Sequence, residues 1–495
     1  MSEQSWFNRP NPLLTEVPRY TCLDEITRKL AHDPLANIDL DGLSVVDRND
    51  LLVCKKKPLL PTTLSLKTAL SIIGMHRSSY GLRNPTLASG RRRVSFAIDL
   101  AMQDQFTMPP DAGACVLVVK GITGTAKTVT VERTLDLLGN QVIYHGAVEA
   151  ALWKQAVQLN YLYTGMSHDG SRGGFLNNIL IGVDQALGTT YSIDLPKKYK
   201  SVERLVGRTI ALLHTLYLGV LVVDEIQLEN LVLSEHAPKM QLLLLNVINS
   251  GIPVVLVGNP YGFAWLSALS QDASRMVERE QAFFHPCGST DDDNEDWDTV
   301  FEGIRRYYLL AEAPRDVQEC RIVLKRVSGG IPRVALSIWS ITQRRALLDG
   351  RQSICASELE ATYQTNTFDD IRDVCDGFAQ RDPIKLMRWR DQDIPVDYYA
   401  RLWGVGLPAA EDEEPAVNRT APPTSKPRVK PTRGQAPARL KAQKTRERKK
   451  QAARDQLAQT LSNEDMRMEG LKNHALASLS ALMAGIERDK RRPSN

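Results

Sequence analysis

The sequence lacks the features that mark membrane and secreted proteins. Its 495 residues contain no apolar run that approaches the ~20 residues needed to cross a bilayer. The first residues, Met-Ser-Glu-Gln-Ser, do not form a signal peptide. The cysteines stand at positions 22, 54, 115, 287, 320, 355 and 375, without the paired spacing of a metal site or a disulfide framework. We therefore expect a cytoplasmic protein in a reducing compartment that makes no contact with a membrane.

The chain also lacks a large net charge, since the formal value is only +4, but its charge is unevenly distributed. A length of 495 residues allows two or three domains, and 43% hydrophobic with 24% charged residues is typical of a soluble protein. Between Arg419 and Arg454 there are 13 Lys and Arg residues and a single acid, Glu447. Residues 408–437 predict an extended linker, and residues 438–459 favour a helix. We interpret this basic tail either as a solvated, partly disordered segment or as a docking arm for DNA or a protein.

The strongest motif is a glycine-rich turn between an apolar strand, residues 115–120, and a helical pattern, residues 129–138. The turn consists of Gly121, Ile122, Thr123, Gly124, Thr125, Ala126, Lys127 and Thr128. A strand, turn and helix of this kind form a phosphate-binding loop, because backbone N–H groups and the helix N-terminus converge on one anion. The pattern predicts that Lys127 reaches the β- and γ-phosphates of ATP and that the Thr128 hydroxyl binds Mg²⁺.

One residue of the loop departs from the usual pattern. Ala126 stands before the lysine, where glycine is usual and where the backbone often needs a conformation that glycine adopts at lower cost. Because Ala-Lys-Ser/Thr also ends the loop in some AAA+ ATPases, we interpret Ala126 as a tolerated variant.

Two further apolar strands end in polar residues. The run 218–223 precedes Asp224 and Glu225, and the run 253–258 precedes Asn259. At such strand ends Asp224 can hold Mg²⁺, and Glu225 can orient the attacking water. Asn259 is placed to contact the γ-phosphate or that water. Each of these signals alone is common in proteins, but their order and spacing together predict ATP binding.

Alternating strands and helices predict an α/β fold, namely an AAA+ P-loop NTPase with a parallel sheet flanked by helices. Residues 141–145 and 157–163 are predicted strands, and residues 175–187 and 202–216 are predicted helices. The predicted boundaries are an N-terminal accessory region at 1–110, an α/β nucleotide-binding part at 111–306, a small helical lid at 307–405 and a basic, partly disordered tail at 406–495.

The predicted lid contains the segment Gly-Gly-Ile-Pro332-Arg333, in which proline favours the first turn of a helix. That position allows Arg333 to bring a guanidinium to the phosphates of a bound nucleotide. A plain surface arginine is the alternative.

Beyond these ATPase motifs, the chain resembles the TnsC/TniB family of AAA+ regulators of bacterial cut-and-paste transposons. The similar segments lie between about residues 8 and 397 and fade in the tail; they are Asn11–Leu13, Gly81–Pro85, Gln141–His145, Ser167–Ser171, Ala186–Gly188, Val222–Gln227 and Gly251–Val254. One departure is Asn259, where some members of the family have threonine.

The resemblance implies a regulatory switch more than a metabolic enzyme. It implies ATP bound at the interfaces of a homo-oligomer, which forms a ring or a helical filament around double-stranded DNA. It also implies that the assembly links a target-selector protein to transposase subunits, and that ATP hydrolysis limits or reverses assembly. By the same resemblance, the accessory region would meet the target selector and the tail would dock the transposase.

The resemblance also implies further functional residues. A neighbouring subunit would supply an arginine to the γ-phosphate, and the matching stretch offers Arg275 first and Arg279 second. Phosphate contacts to DNA would come from residues 146–174, which contain Lys154, His168, Ser171 and Arg172. For His168 we favour a structural or backbone-bonding role over a catalytic one.

Two other functions stay open. A replication-initiator-like AAA+ ATPase would require a compact winged-helix domain after the lid, where this sequence is polar and rich in proline. The other is a signalling NTPase that joins proteins without touching DNA, which an assay of DNA-stimulated ATPase activity would distinguish from a transposition regulator.

Overall fold

The computed structural model describes residues 9–54, 57–103, 116–264, 281–290, 294–387 and 394–407. In this part of the chain a five-stranded parallel sheet lies between two layers of helices, and further helices follow it. The strands are β1 Val116–Gly121, β2 Val142–His145, β3 Ala156–Leu159, β4 Leu162–Gly165, β5 Leu221–Ile226, β6 Val254–Gly258 and β7 Ala282–Phe284.

The helices of the first half precede or connect these strands. They are α1 Pro12–Thr15, α2 Leu23–Leu30, α3 Val45–Cys54, α4 Thr63–Leu82, α5 Ala88–Met102, α6 Lys127–Leu137, α7 Arg172–Leu187, α8 Tyr191–Lys198, α9 Val202–Thr215, α10 Leu228–Leu231 and α11 Ala237–Asn249.

Further helices follow β7 in the described part of the chain. They are α12 Asn294–Arg306, α13 Val317–Ser328, α14 Pro332–Leu348, α15 Ala356–Tyr363, α16 Arg372–Gln380, α17 Pro383–Leu386 and α18 Val396–Trp403. No helix in the described residues is long and apolar enough to span a membrane.

The main sheet has the strand order β4-β5-β6-β1-β7, and all of its pairs are parallel. Side chains alternate between its two faces, as they must in a strand. In β1, for example, Val116 and Val118 pack into one core with α5, α7, α9 and α11. Leu117 and Val119 pack into the other core with α2, α4 and α6. Burial on both faces explains why these strands read as continuous apolar runs in the sequence.

The N-terminal region supplies helices to both layers. Ile72 of α4 lies in one core and Ala101 of α5 lies in the other, and both are buried. The helices after β7 enclose a core of their own, which includes the buried rings of Trp297 and Trp339. The domain boundaries drawn from the sequence stay a prediction.

The predicted strand 157–163 is wrong in one respect, because the chain there forms two strands. β3 pairs antiparallel with β2 in a separate two-stranded sheet, whereas β4 pairs with β5 in the main sheet. Asn160 and Tyr161 separate them, and the Asn160 side chain donates to the Leu138 carbonyl at 2.6 Å. The sequence pattern cannot reveal such a change of partner, because it does not show which strand lies beside each residue.

Candidate nucleotide-binding site

The glycine-rich turn joins β1 to α6, as the sequence predicts. It lies close to the neighbouring strand β7, where the N–H of Ile122 donates to the Phe284 carbonyl at 3.2 Å. A Cβ on Gly121 would stand 2.3 Å from that carbonyl oxygen, so only glycine fits there. Gly124 has a φ of +92°, which also favours glycine.

Ala126 has the left-handed backbone that its position in the motif suggests. Its φ is +68° and its ψ is +17°, and it directly precedes the first residue of α6. An L-residue in this region costs roughly 1–2 kcal/mol more than glycine. The expectation that this position needs a glycine-like conformation is thus confirmed, and the alanine adopts that conformation despite its Cβ.

Lys127 begins α6 and is buried, with 8% of its surface exposed. Its Nζ donates to the carbonyl oxygens of Gly121 at 2.7 Å and Ile122 at 2.9 Å. The ammonium group is therefore held over the loop, at the N-terminus of a helix whose backbone favours an anion.

The two residues predicted to bind a metal are hydrogen-bonded to each other. The Thr128 hydroxyl donates to Oδ2 of Asp224 at 2.8 Å, and Asp224 is 4% exposed. These residues stand 96 positions apart in the chain. Oxygen ligands of this kind suit Mg²⁺, so the donor set fits the metal that the sequence predicts.

Glu225 lies where β5 is distorted. The pairing of β5 with β6 shifts register between Val223 and Ile226, and Glu225 has a φ of +59°. Its N–H donates to Oδ1 of Asp224 at 2.6 Å, while its side chain is exposed and lines the cavity beside the loop. The bulge therefore turns one carboxylate into the protein and the next one toward the cavity.

Tyr163 is a residue of this site that the sequence analysis missed. It lies on β4, beside Val222 of β5, and its hydroxyl donates to Oδ2 of Asp224 at 2.7 Å. Burial raises the pKa of Tyr163, and the hydrogen bond to Asp224 raises it further, so the phenol keeps its proton. The sequence shows only that Tyr163 lies in a predicted strand. It does not show that this strand is adjacent to the one that ends at Asp224.

Asn259 and Arg333 also lie at the loop. Asn259 follows β6, is 9% exposed, and its Oδ1 accepts from the Thr123 hydroxyl at 3.4 Å. Arg333 is in the first turn of α14, and its backbone N–H donates to the Gly124 carbonyl at 3.1 Å. A Cβ on Gly124 would stand 3.3 Å from Nε of Arg333, so this guanidinium lies against the loop.

A cavity of about 380 Å³ adjoins these residues. Its polar wall contains Lys127, Thr128, Glu225 and Arg333. Its apolar wall comes from the segment before α4 and from α6, α12 and α14, and it includes Leu59, Leu60, Val129, Val300, Ile304 and Leu336. A cavity with one charged and one apolar end can hold a ligand that joins phosphates to a flat apolar ring.

Other predicted functional residues lie elsewhere or outside the described residues. Arg275 and Arg279 fall in the gap 265–280, and the basic tail falls after 407, so the structure does not test either prediction. Lys154 and His168 are exposed. Ser171 caps α7 by accepting from the Gly174 N–H, and Arg172 forms an ion pair with Glu203 at 2.8 Å.

Comparison with known proteins identifies the central segment. A family model described as an AAA domain matches residues 111–266. The predicted AAA+ P-loop fold, with its parallel sheet flanked by helices, is confirmed. No curated protein matches the chain in sequence.

Several solved structures are similar to the chain at low sequence identity. The Drosophila ORC bound to DNA is 16% identical, over 78% of this chain and 87% of that chain, with a TM-score of 0.36. Aeropyrum pernix ORC2 is 13% identical, over 56% of this chain and 68% of that chain, with a TM-score of 0.35. The Thermotoga maritima RuvB Holliday junction branch migration motor is 15% identical, over 64% and 81%, with a TM-score of 0.30. Similarity at this level carries no argument about function.

Proposed function

We propose that this protein is an AAA+ ATPase that binds ATP with Mg²⁺ and hydrolyses it to ADP and phosphate. The hydrogen bond between Thr128 and Asp224, beside a cavity that Lys127 and Glu225 also reach, carries the proposal. It brings together the two halves of a nucleotide site that stand about a hundred residues apart in the sequence.

Each residue has a distinct proposed role. Thr128 and Asp224 would hold Mg²⁺, which supplies positive charge to the phosphate oxygens. Lys127 moves from the loop carbonyls to the phosphates, where its charge is better compensated. Glu225 accepts a hydrogen bond from the attacking water and orients it, and the nearby Asn259 amide contacts the same water or the γ-phosphate.

Arginines complete the proposed site. Arg333 lies against Gly124 and can reach a phosphate from the helical part of the same chain. Arg275 of a neighbouring subunit is the proposed second arginine, with Arg279 as the alternative. Since an arginine from a neighbour stabilises charge in the transition state, it would make hydrolysis depend on assembly.

Replacement of the loop lysine tests the nucleotide site. Lys127→Ala should abolish measurable ATP binding, because it removes the ammonium group that lies over the loop. Ala126→Gly is the matched control, since it relieves the left-handed alanine and should bind ATP as the wild type does. Equilibrium binding of a fluorescent ATP analogue measures both variants. Wild-type affinity in Lys127→Ala would refute the phosphate-loop assignment.

We further propose that the ATPase regulates DNA transposition as a homo-oligomeric ring or filament on double-stranded DNA. The support is the resemblance in segments such as Gln141–His145 and Gly81–Pro85, which lie outside the ATPase motifs. In this proposal a target-selector protein starts assembly and transposase subunits bind the finished assembly.

Two measurements test this finer proposal. Double-stranded DNA should stimulate ATP turnover, and truncation after Ala410 should leave that stimulation intact while abolishing ATP-dependent binding of the transposase. Turnover that ignores DNA would favour a signalling NTPase. DNA-stimulated turnover without any transposase binding by the full-length protein would favour a replication-initiator-like ATPase.

A further inference from the structure

A buried arginine outside the nucleotide site has only part of its hydrogen-bonding capacity used. Arg83 caps the C-terminus of α4 and is 3% exposed. Its Nη2 donates to the Ser79 hydroxyl at 2.6 Å and to the Leu218 carbonyl at 2.7 Å. Among the described residues, its Nε and Nη1 have no hydrogen-bond partner. Because a guanidinium stays charged at every pH at which proteins fold, Arg83 buries a full positive charge with donors unused.

The described residues around Arg83 supply no negative charge. A small cavity lies beside it, lined by groups that include Ser79, Arg93, His214 and Ser250, and no described residue in its lining is acidic. Arg93 adds a second positive charge and has interactions of its own. The ring of Tyr80 lies 5.4 Å from Cζ of Arg83, and such contacts contribute about 0.5–2 kcal/mol, which does not replace a counter-charge.

His214 offers a further polar group to the same cavity. It is 1% exposed, and neither of its ring nitrogens makes a hydrogen bond of ordinary geometry. Burial, and after it the charge of Arg83, lower the pKa of His214 to about 3 against a contact with the Ser250 backbone that raises it, so the ring is neutral near pH 7. A neutral imidazole carries one N–H that it can donate.

The size of the cavity limits what it can hold. Its volume is about 20 Å³, whereas a single water needs roughly 10–15 Å³ on the same measure. One water or one monatomic ion therefore fits, and a sulfate or phosphate does not. A water would accept a hydrogen bond from Arg83 but would leave the buried charge uncompensated.

We propose that this cavity is a binding site for one monatomic anion of the chloride class, held by Nε and Nη1 of Arg83 and by the ring of His214. The bound anion joins the end of α4 to α9. It stabilises the folded protein, because it binds the native state and has no site in the unfolded chain.

Thermal unfolding of the full chain at constant ionic strength tests the proposal. Sodium chloride replaces sodium gluconate, whose large organic anion does not fit the cavity. The unfolding midpoint of the wild type should rise by about 2–4 °C and then saturate. Arg83→Met should lose the rise, because it keeps an unbranched side chain but removes the charge and both donors. Arg92→Met is the matched control, since Arg92 is exposed on α5, and it should keep the rise.

Two outcomes would overturn the proposal. One is a wild-type midpoint that does not respond to chloride at constant ionic strength, and the other is an equal response in Arg83→Met. If Arg83→Met does not fold, crystals of the wild type soaked in bromide give an independent answer. An anomalous peak beside Arg83 supports the site, and a cavity without anomalous signal refutes it.

Discussion

A buried charged side chain lies near each end of strand β5, and the two differ in how fully they are hydrogen-bonded. Near the C-terminal end, Asp224 accepts hydrogen bonds from Thr128, Tyr163 and the N–H of Glu225, so both of its oxygens have partners. Before the N-terminal end, Arg83 binds the Leu218 carbonyl but leaves Nε and Nη1 without partners. Both side chains are less than 5% exposed, at 4% and 3%.

The difference follows from what surrounds each charge. Asp224 is held by neutral donors that orient it toward the phosphate loop and are themselves part of the proposed metal site. Arg83 is held by neutral acceptors next to a cavity whose described lining contains no acidic residue. A buried charge that is fully hydrogen-bonded is fixed in place. One that is only partly hydrogen-bonded favours the binding of a ligand that can accept from its unused donors. We therefore expect changes near Asp224 to alter turnover and changes near Arg83 to alter stability.

The largest expected effect is at the Asp224 end. Glu225→Gln keeps the shape of the side chain but removes the negative charge that orients water, so ATP turnover should fall ~10²-fold or more. ATP affinity should persist, because Lys127 and Thr128 are unchanged. Steady-state turnover and equilibrium binding measure the two quantities. Glu235→Gln, at an exposed glutamate, should turn over normally. Undiminished turnover in Glu225→Gln would assign the role to another group.

A smaller effect is expected near Arg83, where two buried histidines should make the stability of the folded protein depend on pH. Burial is the main reason that the pKa of His76 is lowered to about 4; the hydrogen bond to Asn160 opposes this shift, and the charges of Arg83 and Arg77 add to it. The pKa of His214 is about 3 for similar reasons. Since both values lie below the unfolded value near 6.5, the unfolded chain binds more protons than the folded one below that pH.

The stability that these two neutral histidines contribute should therefore be fully present above pH ~6.5. As the pH drops from there toward 4, the free energy of unfolding should fall by up to about 1.4 kcal/mol per pH unit for each histidine. Urea unfolding at pH 7, 6 and 5 measures the slope. His76→Gln should make it shallower, because glutamine can still bond to Asn160 but does not titrate. His168→Gln, at an exposed position, should leave the slope as it is. An unchanged slope in His76→Gln would contradict the assignment.

The smallest expected effect returns to Asp224. Tyr163→Phe removes the hydroxyl that donates to Oδ2 of Asp224 but keeps the ring. Because the carboxylate is then less well oriented, Mg²⁺ binding should weaken by about 1 kcal/mol, or roughly fivefold in affinity. The loss should appear as a higher Mg²⁺ concentration for half-maximal turnover, with the maximal rate nearly restored at high Mg²⁺. Tyr161→Phe, at another half-buried tyrosine of the same segment, should not shift it. A uniform loss of rate that Mg²⁺ does not restore would show a merely structural role for Tyr163.

The sequence alone predicted the parts of the site that lie in short continuous motifs. The strand, the glycine-rich turn and the helix around Lys127 follow from local pattern, because each depends on neighbours within a few residues. The strained backbone at Ala126 also follows from the motif, since the conformation belongs to the loop and not to the residue. The strand-end carboxylates could be found because a buried parallel strand is a continuous apolar run.

Only the tertiary structure showed which distant residues meet. Tyr163 and Asp224 are 61 positions apart, and Arg83 and Leu218 are 135 apart. Periodicity reports which face of an element is buried, but it does not report which element covers that face. The split of residues 157–163 into two strands, the contact of Arg333 with Gly124 and the unpartnered nitrogens of Arg83 all depend on that choice of neighbours. They were decided when the sheet and its helices packed together.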